Sequence, residues 1–197
     1  MQEEIEKLQK KIKDKLPEKR YNHTVGVRYT AQSLAMRYGE DLERAAYAGI
    51  LHDCAKYCSG EKMLEKCQKH GIAITEVENK NPQLLHAKLG VYYARHRYGV
   101  DDEEVLSAIR WHTTGKAAMT LLEKIVFLAD YIEPNRKLIP GLRQIRELAF
   151  CDLDAAICKT LENTISYLQK QDKSASNAKS YDPNTVSAYE YYKSKCQ

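Results

Sequence analysis

The chain has no apolar run near the roughly 18 residues that a membrane-spanning helix needs. Its opening, MQEEIEKLQKK, alternates acid and base where a secretory leader would be apolar. The expectation is a cytoplasmic protein. None of its six cysteines forms a C-x-x-C pair, so the usual zinc-finger spacings are missing. Cys54, Cys58, Cys67, Cys151, Cys158 and Cys196 are expected to be free thiols, several of them in the core. A soft-metal role for Cys54 and Cys58, one turn apart, is the weaker reading. Internal repeats are absent, and no stretch alternates β-branched with polar residues over a strand's length. A basic cluster is also missing: the net charge of +4 comes from scattered Lys and Arg, which suits a small acidic substrate such as a polyphosphate and does not argue for nucleic acid.

What remains is a chain of 197 residues, 43% hydrophobic and 29% charged, enough for one sizeable core. The fold class is all-α, a helical bundle in a single domain. Ile5, Leu8, Ile12 and Leu16 recur at helical spacing over residues 2–16. Pro17 starts a second helix over 18–38, with Val25, Ala31, Leu34 and Ala35 as its inward stripe and Gly39 as its stop. Asp41 opens a third that is expected to run on to about Ser59-Gly60. A short helix over 61–70, a polar loop from Gly71 to Pro82, and a helix over Leu84–Tyr98 follow. Asp101–Glu104 begin a helix ending at Thr113-Thr114-Gly115, with acids in the first turn where the dipole favours them. Met119–Glu133, 142–150 and 152–170 complete the bundle. Residues 171–182 are polar, and Asn184–Lys195 form a last short helix on a weakly tethered segment.

The chemistry centres on Ala45–Tyr57, AAYAGILHDCAKY, which reads as one apolar helix carrying His52, Asp53 and Lys56. A carboxylate in such surroundings is costly unless something positive faces it. Either the pair is a hydrogen-bonded, half-exposed feature, or it binds metal through imidazole nitrogen and carboxylate oxygen. His23, His86, His112 and Asp130 also lie on helices beside small or apolar residues. Asp130, inside IVFLADYI, needs either a metal or an arginine, Arg20 or Arg136. His70 and His96 stand near helix ends and are expected to be exposed.

A histidine about thirty residues before the His-Asp pair, a carboxylate about eighty after it and two histidines between resemble the HD phosphohydrolase superfamily. LLHAKLG, AIRWHTTGKAAMTLLEKIVFLADYIEPNR and the tail YDPNTVSAYEYY resemble, more narrowly, the bacterial YqeK-type family, whose members hydrolyse diadenosine tetraphosphate symmetrically. The likeness covers roughly residues 18–190. It implies an HD-domain bundle and a metal-dependent hydrolase that cleaves dinucleoside polyphosphates by attack of metal-activated water on phosphorus, one substrate giving two ADP. His23, His52, Asp53 and Asp130 match the core ligands. Asp53, His86 and His112 match a second metal position, or phosphate contacts when one ion is bound. The family is associated with iron; the nitrogen and oxygen donors suit iron, manganese or zinc equally.

Charge building on the phosphoryl oxygens calls for cations, Lys56 first, then Arg20, Lys88 and Arg136. His112 could protonate the leaving oxygen, so Asp53, Lys56, His86 and His112 form the expected catalytic set. Arg20, His23, His86, Lys88, His112, Thr113, Thr114 and Arg136 are the expected nucleotide contacts, joined by Ser174, Ala175, Ser176, Asn177 and Tyr181 if the tail closes as a lid. For Lys88 a solvated lysine, and for Thr113-Thr114 a plain helix cap, stand equal to these. The chain departs from the family where Tyr181 replaces a usual His and Tyr189-Glu190 a usual Arg-Asn. The expected organisation is an N-terminal helix (1–17) on the core, a metal phosphohydrolase domain (18–170) and the polar segment with its helix (171–197). Rival readings are an HD nucleotidase on mononucleotides or guanosine signalling nucleotides, and a nucleotide-binding regulatory module without turnover. The expected partner is a small nucleotide, with no membrane or nucleic acid, and a second copy of the chain is the candidate protein partner, as a homodimer.

Overall fold

The computed structural model describes residues 2–174 and 181–196. Among the described residues the regular structure is helical throughout, with no strand. Helix α1 spans Gln2–Lys13, α2 Glu18–Tyr38 and α3 Leu42–Leu51. Then come α4 (Gly60–Lys69), α5 (Glu76–Lys80) and α6 (Leu85–Tyr98). Helices α7 (Glu103–Trp111), α8 (Leu121–Ile132) and α9 (Leu142–Ala149) follow, then α10 (Leu153–Ser174) and α11 (Pro183–Lys195). No helix among the described residues is long and apolar enough to cross a membrane.

The helices start and stop where side chains can satisfy free backbone groups. Asp41 accepts from the amides of Glu43 and Arg44, and Asp102 from those of Glu104 and Val105. Thr120 and Glu123 form a reciprocal capping box at the start of α8. Gly39 ends α2 in the left-handed region at φ 76°.

At the centre, α2 packs against α3 and α8, while α7 lies against α3, α6 and α8. Leu34, Ile50, Leu51, Leu89, Ile109, Leu122 and Ile125 are fully buried there. Each large apolar side chain so withdrawn contributes about 1.5–3 kcal/mol before entropy is counted. The α2–α3 contact is backbone to backbone: a Cβ on Gly49 would stand 2.8 Å from Arg28 Cα. That close approach brings the His23 and His52 ends of the two helices together.

Four expectations are corrected. The buried valine of α2 is Val27, while Val25 is half-buried. Helix α3 stops at Leu51 instead of running to Ser59. Beyond it the chain continues in tight turns, with Cys54 N to Leu51 O at 3.0 Å, Lys56 N to Asp53 O at 2.9 Å and Cys58 N to Ala55 O at 3.2 Å. The polar stretch after Gly71 contains α5, made by a Thr75–Glu78 capping box. The final helix is firmly seated. Ala188 and Tyr192 are fully buried, and Tyr192 accepts from the Met119 amide at 3.0 Å. Ala175, Ser176 and Asn177 of the expected lid lie outside the described residues, and Ser174 is the last described residue of α10.

Candidate metal centre

Six side chains from the ends and flanks of five helices meet in the core. His23 lies in the second turn of α2. His52 caps α3, with Asp53 in the turn beyond it. His86 lies in the first turn of α6, His112 caps α7, and Asp130 lies in the last turn of α8. All but Asp130 are buried, and the Asp130 side chain is 20% exposed.

The four imidazoles are held in one way. Ring Nδ1 of His52 lies 2.8 Å from Gly49 O, and that of His112 lies 2.7 Å from Ile109 O. His86 Nδ1 makes the same bond to Gln83 O. His23 Nδ1 lies 3.0 Å from a carboxylate oxygen of Glu133. Carbonyl and carboxylate oxygens only accept, so each Nδ1 carries the proton and donates it. Each Nε2 is thereby left as the free electron pair, which is how a ligating histidine is prepared.

The Nε2 atoms converge with two carboxylates. His23 Nε2 is 2.9 Å from Asp130 Oδ1, and His52 Nε2 is 3.8 Å from that oxygen and 3.5 Å from Asp53 Oδ2. Asp53 Oδ1 lies 3.4 Å from His86 Nε2 and 3.5 Å from His112 Nε2, and these two nitrogens are 3.0 Å apart. Donors sharing one ion at about 2.1 Å and at right angles stand roughly 3 Å apart. His23, His52 and Asp130 form one group with all ligand atoms within 4.8 Å, and His52, Asp53 and His112 form another.

The residues fit a divalent metal on an observation of their own. His23 Nε2 and His52 Nε2 are buried without a hydrogen-bond partner. His23 Nε2 stands 2.9 Å from Asp130 Oδ1 without the alignment of a hydrogen bond. Buried polar atoms are seldom left so, and a cation between them resolves both. The thiols stand apart from this set: Cys54 Sγ donates to Gly90 O at 3.5 Å and Cys58 Sγ accepts from Lys66 at 3.0 Å. The donor set is nitrogen and oxygen only.

The arginine alternative for Asp130 is also present. Arg136 Nη2 reaches Asp130 Oδ1 at 2.7 Å, and Arg20 Nη1 reaches Asp53 Oδ2 at 2.8 Å. These pairs neutralise the carboxylates but leave both orphaned imidazole nitrogens where they are. Burial alone would raise the Asp53 carboxyl. His52, Lys56 and His112 outweigh it and hold the group well below the carboxylate range. Burial likewise opposes ionisation of Asp130, and His23 with Arg136 overcomes it, again lowering the carboxyl. Burial lowers Lys56, and Arg20 and Arg136 add to this against the pull of Asp53. Burial and the neighbouring Lys56 hold His86 well below the usual imidazole value. His23 alone is raised, because Asp130 and Glu133 outweigh its burial.

Other expected residues divide. Lys56 Nζ lies 3.9 Å from Asp53 Oδ1 and 3.1 Å from the His86 ring nitrogens. Thr113 Oγ1 is 3.0 Å from His86 Nε2 and 2.9 Å from His112 Nε2. Both belong to the centre. Lys88 does not: its Nζ donates to Glu78 Oε2 at 2.6 Å and to Ala73 O at 2.7 Å, a buried ion pair that pins α6 to α5. Thr114 is buried with its hydroxyl on the Gly115 carbonyl, so it offers no donor to a nucleotide. Tyr181 is half-buried where the chain resumes before α11. Of the two histidines set aside, His96 is exposed, while His70 is half-buried against Tyr92 with ring centres 4.1 Å apart. The sequence reading passed over Glu133, although a carboxylate three residues after Asp130, just before Pro134, was the available signal. A groove of about 900 Å³ opens beside His23 and Glu133, with Lys19, Arg20, Arg136 and Lys137 on its walls and Tyr131 among its lining.

Comparison with known proteins agrees with this geometry. The HD domain family matches residues 20–135. A protein of Halalkalibacterium halodurans named "Bis(5'-nucleosyl)-tetraphosphatase, symmetrical" is 46% identical over 82% of this chain and 86% of its own. The protein of that name from Staphylococcus aureus is 38% identical over 95% of this chain and 94% of its own. A crystal structure from Clostridium acetobutylicum, described as a predicted HD superfamily hydrolase involved in NAD metabolism, superposes with a TM-score of 0.89 at 40% identity, covering 96% of this chain and 97% of that one. The chain belongs to the HD-domain family and, within it, to the YqeK-type group whose curated members are named symmetrical bis(5'-nucleosyl)-tetraphosphatases.

Proposed function

We propose that this chain is a metal-dependent hydrolase that cleaves dinucleoside tetraphosphates symmetrically, diadenosine tetraphosphate and water giving two ADP. The observation that carries the reading is the set of four histidines, each tied at Nδ1, with Nε2 aimed at Asp53 and Asp130. His23, His52, Asp53 and Asp130 are the proposed holders of one ion, and Asp53, His86 and His112 of a second if one binds. Iron is the proposed metal; a donor set without thiolate suits manganese or zinc as well. A divalent ion here supplies Lewis acidity, polarising phosphoryl oxygen and lowering the pKa of water.

The chain's own residues account for the rest. Arg20 and Arg136 hold the two carboxylates and also line the groove at His23. Arg20 and Arg136 would give up these carboxylate oxygens where a divalent ion is held there, and would turn onto the polyphosphate, where bidentate donors suit phosphate. Lys56 meets the charge that gathers on the phosphoryl oxygens as the bond to the leaving diphosphate breaks. Where only one ion is held, His112 is instead the candidate to take up a proton at Nε2, beside Thr113, and pass it to the leaving ADP oxygen. The groove is large enough for a nucleotide and carries four cationic side chains against the four-phosphate chain.

Product analysis tests the reading. Diadenosine tetraphosphate in ¹⁸O-water should give ADP alone, one of each two molecules carrying one label. ATP and AMP as products, or release of inorganic phosphate from mononucleotides at a higher kcat/KM, would replace it with the asymmetrical or nucleotidase alternative.

A further inference from the structure

We infer that Glu133 is a positioning residue for the metal centre, holding His23 so that Nε2 faces the ion, and that Gly26 is the space that lets it do so. The inference rests on the metal reading above. His52, His86 and His112 each find their Nδ1 acceptor in the backbone carbonyl three residues earlier. His52 and His112 can do this because they cap the C-terminal ends of α3 and α7, where carbonyls are free, and His86 uses a carbonyl of the short 3-10 turn Pro82–Leu84 that precedes α6. His23 cannot, because it sits inside α2, where the preceding carbonyls already serve the helix. It needs an acceptor from elsewhere in the fold.

Glu133 is built for that task. It follows the last residue of α8 and leaves the helix at ψ 152°. Arg146 clamps the helix end by donating from Nη2 to Glu133 O and from Nε to Ile132 O, both at 2.8 Å. The carboxylate is 1% exposed, with Oε1 on His23 Nδ1 at 3.0 Å and Oε2 accepting the Asn135 amide at 2.7 Å. Opposite it, one turn after His23, stands Gly26. A Cβ there would lie 2.4 Å from Glu133 Oε2. Mid-helix glycine is unfavourable relative to alanine, so a specific need must favour it, and the carboxylate supplies one. A carboxylate on Nδ1–H also makes the opposite nitrogen a better donor to metal.

The test is Mn²⁺ titration of the metal-free protein, with unbound ion counted by electron paramagnetic resonance and the metal-free melting temperature measured alongside. Glu133→Ala should weaken Mn²⁺ binding about 10–100-fold. Glu133→Gln keeps an acceptor for Nδ1–H and should restore part of that loss. Gly26→Ala should weaken binding like Glu133→Ala, and adding it to Glu133→Ala should cost nothing more. If Glu133→Ala proves too unstable to titrate, Glu133→Gln and Gly26→Ala carry the same comparison. Wild-type affinity in Glu133→Ala or, where that variant cannot be titrated, in Gly26→Ala, or a loss confined to the melting temperature, overturns the inference and leaves the metal reading standing. Additive losses overturn the role of Gly26. Wild-type protein that binds no Mn²⁺ overturns the metal reading and this inference with it.

Discussion

Alanine at Gly49 and at Gly90 makes the same change in composition and should have opposite effects. Each replaces a mid-helix glycine, which by itself favours the helix by about 0.8–1 kcal/mol. At Gly90 the new methyl would stand 3.5 Å from Ile109 Cγ2 and 3.7 Å from Cys54 Sγ, ordinary contact distances. The full gain should appear, raising the melting temperature by about 2–4 °C for a chain of this size. At Gly49 the methyl meets Arg28 Cα at 2.8 Å. Carbon atoms rest about 3.5–4.0 Å apart, and a backbone atom cannot rotate away. Helices α2 and α3 must therefore part by roughly 1 Å, at the about 1–3 kcal/mol typical of overpacking. Taking the middle of that range and subtracting the helix gain leaves about 1 kcal/mol of destabilisation, or 2–4 °C lost. The same separation moves His23 on α2 away from His52 on α3, so Mn²⁺ affinity should fall by about tenfold or more. Thermal melts and metal titration of the two variants side by side measure both effects. Gly49→Ala melting higher than wild type by as much as Gly90→Ala does, with unchanged metal affinity, would refute the reasoning.

Other perturbations probe the site and the scaffold separately. Asp53→Ala removes the carboxylate that faces His52, His86 and His112 and should abolish both metal retention and turnover, read by elemental analysis and ADP release; full metal content would remove Asp53 from the ligand set. Lys56→Met should leave the metal in place and lower kcat about 10²–10³-fold, as loss of one charge-stabilising donor does; a change confined to KM would reassign Lys56 to ground-state binding. At Glu78, burial raises the carboxyl but Lys88 and Thr75 lower it further, so the folded value lies below the unfolded one. Its contribution is therefore full above the ordinary carboxylate range and is lost as pH falls through the folded value. Glu78→Gln should cost about 3 kcal/mol at neutral pH, as breaking a buried pair does, and denaturant titrations should show the gap from wild type closing on acidification; a gap independent of pH would contradict this.

Helix content was legible because it depends on local features. The Asp41, Asp102 and Thr120 caps and the αL glycine at Gly39 act within a few residues. The overlooked α5 had an equally local signal in Thr75 and Glu78, hidden by the polarity of the segment around it. Asp130 was legible as chemistry because a carboxylate among Ile, Val, Phe and Leu demands a partner. Lys88 was expected to meet phosphate or, equally, to be solvated, and it does neither, because α6 turns it toward Glu78 of α5.

By itself the sequence determined an all-helical chain, its helix boundaries to within a turn in most cases, and the six histidine and aspartate residues able to hold a cation. Those follow from backbone propensity and desolvation cost, which each short stretch carries alone. Only the tertiary structure decided that α3 ends one residue before His52, that four imidazoles share one tautomer, and that Glu133 fits against Gly26. Those depend on which carbonyl, carboxylate or gap another helix brings within 3 Å, and no residue's own sequence neighbours specify that.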